Sequence, residues 1–215
     1  MADYKGVMVF GETAEGKLLP VTTELLGCGR KLADELKEEL SCLLIGDNIG
    51  GLAKEAITYG ADKVYVADDP QLKDYQTEIY VPVIAEIIKD SSSRILLFGQ
   101  TAIGRDLAPR LAFKLQTGLS TDCIELNIDP STKSLLQTRP VYGGNARAIF
   151  TSDFFPQMVT VRQKAMSPLK PDSARKGEII TVPVKIDPAK VKTKLIDRVK
   201  EEVAGIKLED ASVIV

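Results

Sequence analysis

Histidine is absent from the 215-residue sequence. That removes Ser-His-Asp and Cys-His machinery, the HExxH zinc signature and any histidine general base. Cysteine is scarce: Cys28, Cys42 and Cys123 are far apart and show no CxxC spacing. Free thiols in a reducing compartment are expected, with Cys42 filling a core inside an apolar strand pattern. Without histidine and with scattered cysteines, zinc and copper lack a ligand set, so no metal site is expected. Any chemistry the chain does alone falls to carboxylates, lysine, tyrosine or arginine, and no catalytic residue is assigned.

A membrane-spanning apolar run is also missing. The start, Met1-Ala2-Asp3-Tyr4-Lys5, has neither a signal-peptide layout nor the Arg- and Ser-rich look of a transit peptide, so a cytoplasmic location is expected. Charge of one sign is lacking too. Twenty-eight basic residues face 30 acidic ones, a net charge of -2, which argues against a nucleic-acid binder. What is present, 44% apolar and 27% charged residues, suits a soluble protein with a real core.

The first half alternates strand and helix patterns. Val7–Phe10, Cys42–Ile45, Val64–Val66 and Arg94–Phe98 are short apolar runs, each expected as a buried strand. Between them, Thr22–Leu40, Gly51–Tyr59 and Tyr75–Lys89 carry apolar residues at helical spacing, and Gly104–Leu115 follows as a fourth helix. Pro82 predicts a kink in the third helix or a later start. This alternation means βαβ units and a parallel sheet with helices on both faces. After Gly118 the helices stop. Thr121–Ile128, Ser134–Val141, Ala146–Phe150, Gln157–Val161 and Glu178–Ile186 are expected as strands, in hairpins that extend or flank the sheet. Ala189–Ala204 is an amphipathic stretch that fits helix or linker. Ala211–Val215 looks like the start of another strand, so the chain is expected to be cut from something longer.

Two loops invite function. Gly99–Asp106 follows a strand and opens a helix, the place where open α/β sheets bind ligands. Thr101, Gly104, Arg105 and Asp106 there suit an anion, but they equally suit a capped strand-to-helix turn. The loop is neither a P-loop nor GxGxxG. Arg139–Arg147 sets Arg139, Asn145 and Arg147 around Gly143 and Gly144; it reads as a ligand or partner loop, or as a hairpin turn with surface arginines. Asp122 and Glu125, at odd separation on a strand, face opposite sides and make no carboxylate pair. The basic run Lys190, Lys192, Lys194, Arg198, Lys200 reads as a solvated face.

Three segments carry a family likeness. FGQTAIGRDLAPRLAFKLQTGLSTDC, LLQTRPVYGGNARAIF and PQMVTVRQKAM resemble, in order and spacing, segments of electron transfer flavoprotein alpha subunits. Gln163-Lys164 departs from the family's usual Pro-Gly. The resemblance implies a Rossmann-like three-layer parallel sheet of the adenine nucleotide α-hydrolase-like class with an antiparallel hairpin extension. It implies residues 1–186 as this α/β domain, and 187–215 as a linker helix leading into an FAD-binding domain whose SGGRG-type motif the sequence lacks. It further implies an electron carrier rather than an ordinary enzyme. The full-length alpha subunit would hold FAD, a beta subunit would hold AMP or a second FAD, and dehydrogenases of the acyl-CoA type would be donors. Nucleic acid and membrane are not expected partners. The domain alone would be a redox-inactive scaffold, with Arg105, Arg110, Arg139, Gly143, Gly144 and Asn145 toward the partner subunit or flavin domain. A free-standing adenine-nucleotide domain using Gly99–Asp106 is the alternative.

Overall fold

Val7–Gly11 (β1) is buried at all five positions, and it runs through the middle of the molecule for that reason. In the computed structural model, which describes residues 4–197 and 199, β1 is the fourth strand of a seven-stranded parallel sheet. The chain continues through the small hairpin Thr13–Ala14 (β2) and Lys17–Leu18 (β3), then Pro20–Leu36 (α1), Leu40–Gly46 (β4), Leu52–Thr58 (α2), Lys63–Asp68 (β5), Thr77–Ser91 (α3), Ile95–Gly99 (β6) and Ala102–Leu115 (α4). Leu119–Cys123 (β7), Glu125–Ile128 (β8), Leu135–Val141 (β9), Ala146–Phe150 (β10), Gln157–Val161 (β11) and Glu178–Thr181 (β12) follow. The sheet order is β12-β5-β4-β1-β6-β11-β7, and β10-β9-β8 form a separate antiparallel sheet.

Strand alternation sorts the core into two halves. Val7 and Val9 face α1 and α2, joining Leu25, Leu26, Leu32 and Ala53. Met8 and Phe10 face α3 and α4, joining Ile84, Ile88, Leu107 and Leu111. Each such side chain contributes about 1.5–3 kcal/mol when fully buried. This is why the central strands are apolar on both faces.

The structure departs from the sequence reading in five places. The first helix stops at Leu36, because Lys37 turns left-handed (φ 59°) and its amide donates back to the carbonyls of Ala33 and Asp34; Leu40 opens β4 instead. Pro82 lies inside α3, which starts at Thr77. Thr121–Ile128 splits at Ile124, between β7 and β8, and Asp122 (φ 61°) bulges β7 against β11 just before it. Of the strands after α4, β8–β10 are antiparallel, whereas β11 and β7 join the parallel sheet beside β6. The final strand pairs with β5 as far as Thr181, and Pro183, two residues on, has no N–H to extend a ladder.

Beyond β12 the chain crosses α3. Val182, Val184, Ile186 and Val191 pack partly against the second core half. The Glu78 carboxylate accepts from the amides of Lys192 (2.5 Å) and Thr193 (3.0 Å). Within the expected amphipathic stretch, Pro188–Lys190 is one 3-10 turn and residues 191–197 form no regular element. Arg198, Lys200–Ala204 and the Ala211–Val215 stretch lie outside the described residues.

The tightest contact in the sheet-helix layer is at Gly104. A Cβ there would meet the Gly99 carbonyl oxygen at 1.8 Å, backbone against backbone. Gly104→Ala is expected to lower stability by about 3 kcal/mol or more. Gly143→Ala, at φ 66° with open space around it, is expected to cost only about 1 kcal/mol. Urea unfolding of both variants checks the difference; equal midpoints would contradict it.

Candidate functional site

Because β4 and β6 flank β1 on opposite sides, the loops leaving their carboxyl ends diverge and open a crevice there. A cavity of about 440 Å³ fills it, lined among others by Phe10, Glu12, Asp47, Tyr75, Tyr80 and Ile103. Glu12 follows β1 directly. Its amide donates to the Thr22 hydroxyl and its carbonyl accepts from it, both at 2.8 Å. Thr101 caps α4: its Oγ1 accepts from the Gly104 amide (2.9 Å) and donates to Glu12 Oε1 (2.8 Å). The Glu12 side chain is only 4% exposed. Burial pushes its carboxyl up to about 7, against the opposing pull of the Thr101 hydroxyl.

The turn after β4 is filled by an acid of the chain itself. The Asp68 carboxylate accepts from the amides of Asn48 (2.7 Å), Ile49 (3.0 Å) and Gly50 (3.0 Å). At the start of α4 the Glu12 carboxyl meets the Thr101 hydroxyl and, among the described residues, no backbone amide. An acid at each place disfavours a second anion beside it.

The residues singled out from sequence fall into four places. Thr101 and Gly104 belong to the crevice. Asp106 does not: it accepts from Tyr75 Oη (2.8 Å), from the Thr77 hydroxyl and from Arg110 Nε (3.1 Å), tying α4 to the start of α3. The Thr77 hydroxyl foremost, with Tyr75 and Arg110, holds the Asp106 carboxyl below its usual range. Arg105 turns its field elsewhere, to Asp122, where it acts together with Arg139. There Arg162 grips the carboxylate with two bonds, Nε to Oδ1 at 2.9 Å and Nη2 to Oδ2 at 2.7 Å. Gly143, Gly144 and Asn145 form the exposed tip between β9 and β10, with left-handed backbone at Tyr142, Gly143 and Gly144.

Sequence reasoning missed Glu12, Asp68 and Arg162. Glu12 carried a signal, a charge placed at the carboxyl end of a central apolar strand. Asp68 and Arg162 act across 18 to 40 residues and leave no local pattern. The three cysteines are free and buried. Burial pushes the Cys28 and Cys42 thiols up to about 12 and the Cys123 thiol to about 11, so they are inert at neutral pH.

A further surface stands out on the antiparallel sheet. Among the described residues β10 pairs only with β9, leaving its other edge open. Ile149 (66% exposed) and Phe150 (43%) on β10, with Tyr142 (85%) before it and Phe154 (68%) after it, cluster in sequence there. Large apolar groups on an unpaired edge mark a surface made to be covered.

Comparison with known proteins agrees with this architecture. The family model described as electron transfer flavoprotein domain matches residues 7–187. The chain is 44% identical over 216 residues to the electron transfer flavoprotein subunit alpha of Megasphaera elsdenii, covering 100% of the chain and 64% of that relative. It is 40% identical over 216 residues to protein FixB of Clostridium saccharobutylicum, with 100% and 64% covered. It is 38% identical over 237 residues to the acryloyl-CoA reductase electron transfer subunit beta of Anaerotignum propionicum, with 99% and 65% covered. The chain thus spans slightly less than two-thirds of these relatives' length.

The buried Glu12 carboxyl predicts a pH dependence. It titrates near 4.5 when unfolded and about 7 when folded, so the native state holds the extra proton between those values. Stability then falls as pH rises through that window, by up to about 3 kcal/mol. Glu12→Gln keeps the acceptor for Thr101 and removes the titration. Urea midpoints at about pH 5 and pH 8 are expected to diverge for the wild type more than for the variant; parallel behaviour would contradict the assignment.

Proposed function

The chain belongs to the electron transfer flavoprotein family, and on that premise we propose that it is the scaffold and interface domain of an alpha-type electron transfer subunit. In this reading the full-length protein, with a beta-type subunit, carries electrons from dehydrogenases to an acceptor. FAD supplies that redox chemistry when bound, in the portion of the relatives that lies beyond this chain's match. Residues 187–215 lead toward that portion. AMP or a second FAD belongs to the beta-type partner. The acryloyl-CoA reductase named for one relative supports redox partners that act on acyl-CoA compounds, and in this reading the protein works in the cytoplasm.

One observation carries the interface role: the open β10 edge, with Ile149 and Phe150 exposed on the strand and Tyr142 and Phe154 exposed on either side of it in sequence. A stable complex buries about 1,200–2,000 Å² in total, with aromatic and aliphatic anchors at its centre. Strand addition along β10 provides main-chain bonds, and these side chains provide the anchors. Gly143, Gly144 and Asn145 at the hairpin tip lie in the same surface, as the family likeness of TRPVYGGN suggests. Arg110, bound to Asp106 on α4, faces the flavin domain in this reading. The carboxylates of Glu12 and Asp68 in the crevice weigh against a free-standing nucleotide-binding domain.

Mixing the chain with an electron transfer flavoprotein beta-type subunit tests the proposal by sedimentation. A one-to-one complex is expected at micromolar concentration. Replacing Ile149 and Phe150 together with serine is expected to weaken it at least tenfold, about 1.4 kcal/mol. No complex with the wild-type chain would sink the reading.

A further inference from the structure

α3 and α4 lie side by side on the face of the sheet that holds Met8 and Phe10. Asp106 ties their first turns together through Tyr75 and Thr77. An open groove of about 550 Å³ runs between the two helices. Each helix puts a proline in its wall, Pro82 from α3 and Pro109 from α4. Proline has no N–H, so the carbonyls of Glu78 and Arg105, four residues earlier, lack their usual helical donor. Val81 and Phe113 add to the apolar lining, and Phe113 is 87% exposed. Arg110 and Lys114, both exposed, give the α4 side a positive rim. A large exposed aromatic in an apolar groove marks a surface that takes an occupant.

The chain delivers a candidate occupant to this groove. Glu78 lines it and also clamps the segment that has crossed α3, through the amides of Lys192 and Thr193 and the Thr193 hydroxyl. Glu78 and Pro82 also line a neighbouring cavity of about 310 Å³, shared with Lys185, Ile186 and Asp187 of that crossing. Past the clamp, Leu195, Ile196 and Val199 are 45%, 95% and 86% exposed. The sequence goes on as Lys200-Glu201-Glu202-Val203-Ala204-Gly205-Ile206-Lys207-Leu208-Glu209-Asp210. Val199, Val203 and Ile206 recur at helical spacing, and acid pairs precede Val203 and follow Leu208. Apolar positions bracketed by acids complement an apolar groove with a positive rim. Residues 194–203 reach about 33 Å when extended. Residues 77–82 of the groove span about 8 Å along α3. A short tether sets an effective concentration on the order of mM, which favours the chain's own segment over a separate partner of like chemistry.

We propose that the groove between α3 and α4 receives the chain's own segment 200–210. Val203 and Ile206 lie against Phe113 and the two prolines, and the acids lie toward Arg110 and Lys114. The Glu78 clamp sets where that segment starts. This intramolecular dock is separate from the β10 edge and does not depend on a partner subunit. Its consequence is positional: the residues after Asp210 leave the domain from the α4 side.

The sequence has no tryptophan, so Phe113→Trp places a single reporter in the groove, and at an exposed position it leaves the core untouched. With an effective concentration of about mM and an affinity of about mM or tighter, the segment is docked at least half the time. Acrylamide quenching of this full chain is therefore expected to be at least about twofold weaker than with Val203→Ser and Ile206→Ser added. Lys114→Glu, which reverses a rim charge, is expected to give an intermediate value. Protection is expected to be independent of chain concentration, as an intramolecular contact requires. Quenching unchanged by the serine pair or by Lys114→Glu overturns the proposal. Protection that grows with chain concentration also overturns it, in favour of a second copy in the groove. Protection seen only after a beta-type subunit is added overturns it in favour of that partner.

Discussion

The Glu12 carboxylate at the amino terminus of α4 decides what this fold can do. The parallel sheet and its crossover order create a crevice with amides ready for an anion. In this chain Glu12 stands beside that place, bonded to the Thr101 hydroxyl, while Thr22 fixes its backbone to α1. Asp68 occupies the neighbouring turn by accepting from its amides. The strand ends and helix starts around β1 are therefore joined by the chain's own acids. Gly104, pressed on the Gly99 carbonyl, permits α4 to come close enough for the Thr101 bond.

With the crevice closed to phosphate, recognition moves to the outer surface. The antiparallel β8–β10 sheet branches off at Ile124, between β7 and β8. Just before it, Asp122 bulges β7 against β11 and anchors Arg162 at the end of β11. The cysteines, all buried and with raised thiol pKa values, take no part in this surface.

Much of this was legible in the sequence. The buried strands Val7–Phe10 and Arg94–Phe98 and the helix Gly104–Leu115 follow from apolar runs and helical spacing, and the structure has them within a few residues. The family likeness of the three motif segments agrees with the match over residues 7–187. Strand partnership was not legible: nothing local distinguishes Gln157–Val161, which joins the parallel sheet, from Ala146–Phe150, which does not. The residues around Gly99–Asp106 looked like one site, yet they serve three: Thr101 caps and binds Glu12, Arg105 turns to Asp122, and Asp106 braces α3. Helical geometry sends adjacent side chains about 100° apart, so neighbours in sequence need not share a site.

The central claim, that the crevice is closed to phosphate by the chain's own carboxylates and the domain acts through its surface, meets its most direct test in calorimetry of the chain with AMP. The account predicts no heat of binding at neutral pH with ligand up to about 1 mM, a limit of about 4 kcal/mol in affinity. Binding of AMP in the micromolar range would contradict it.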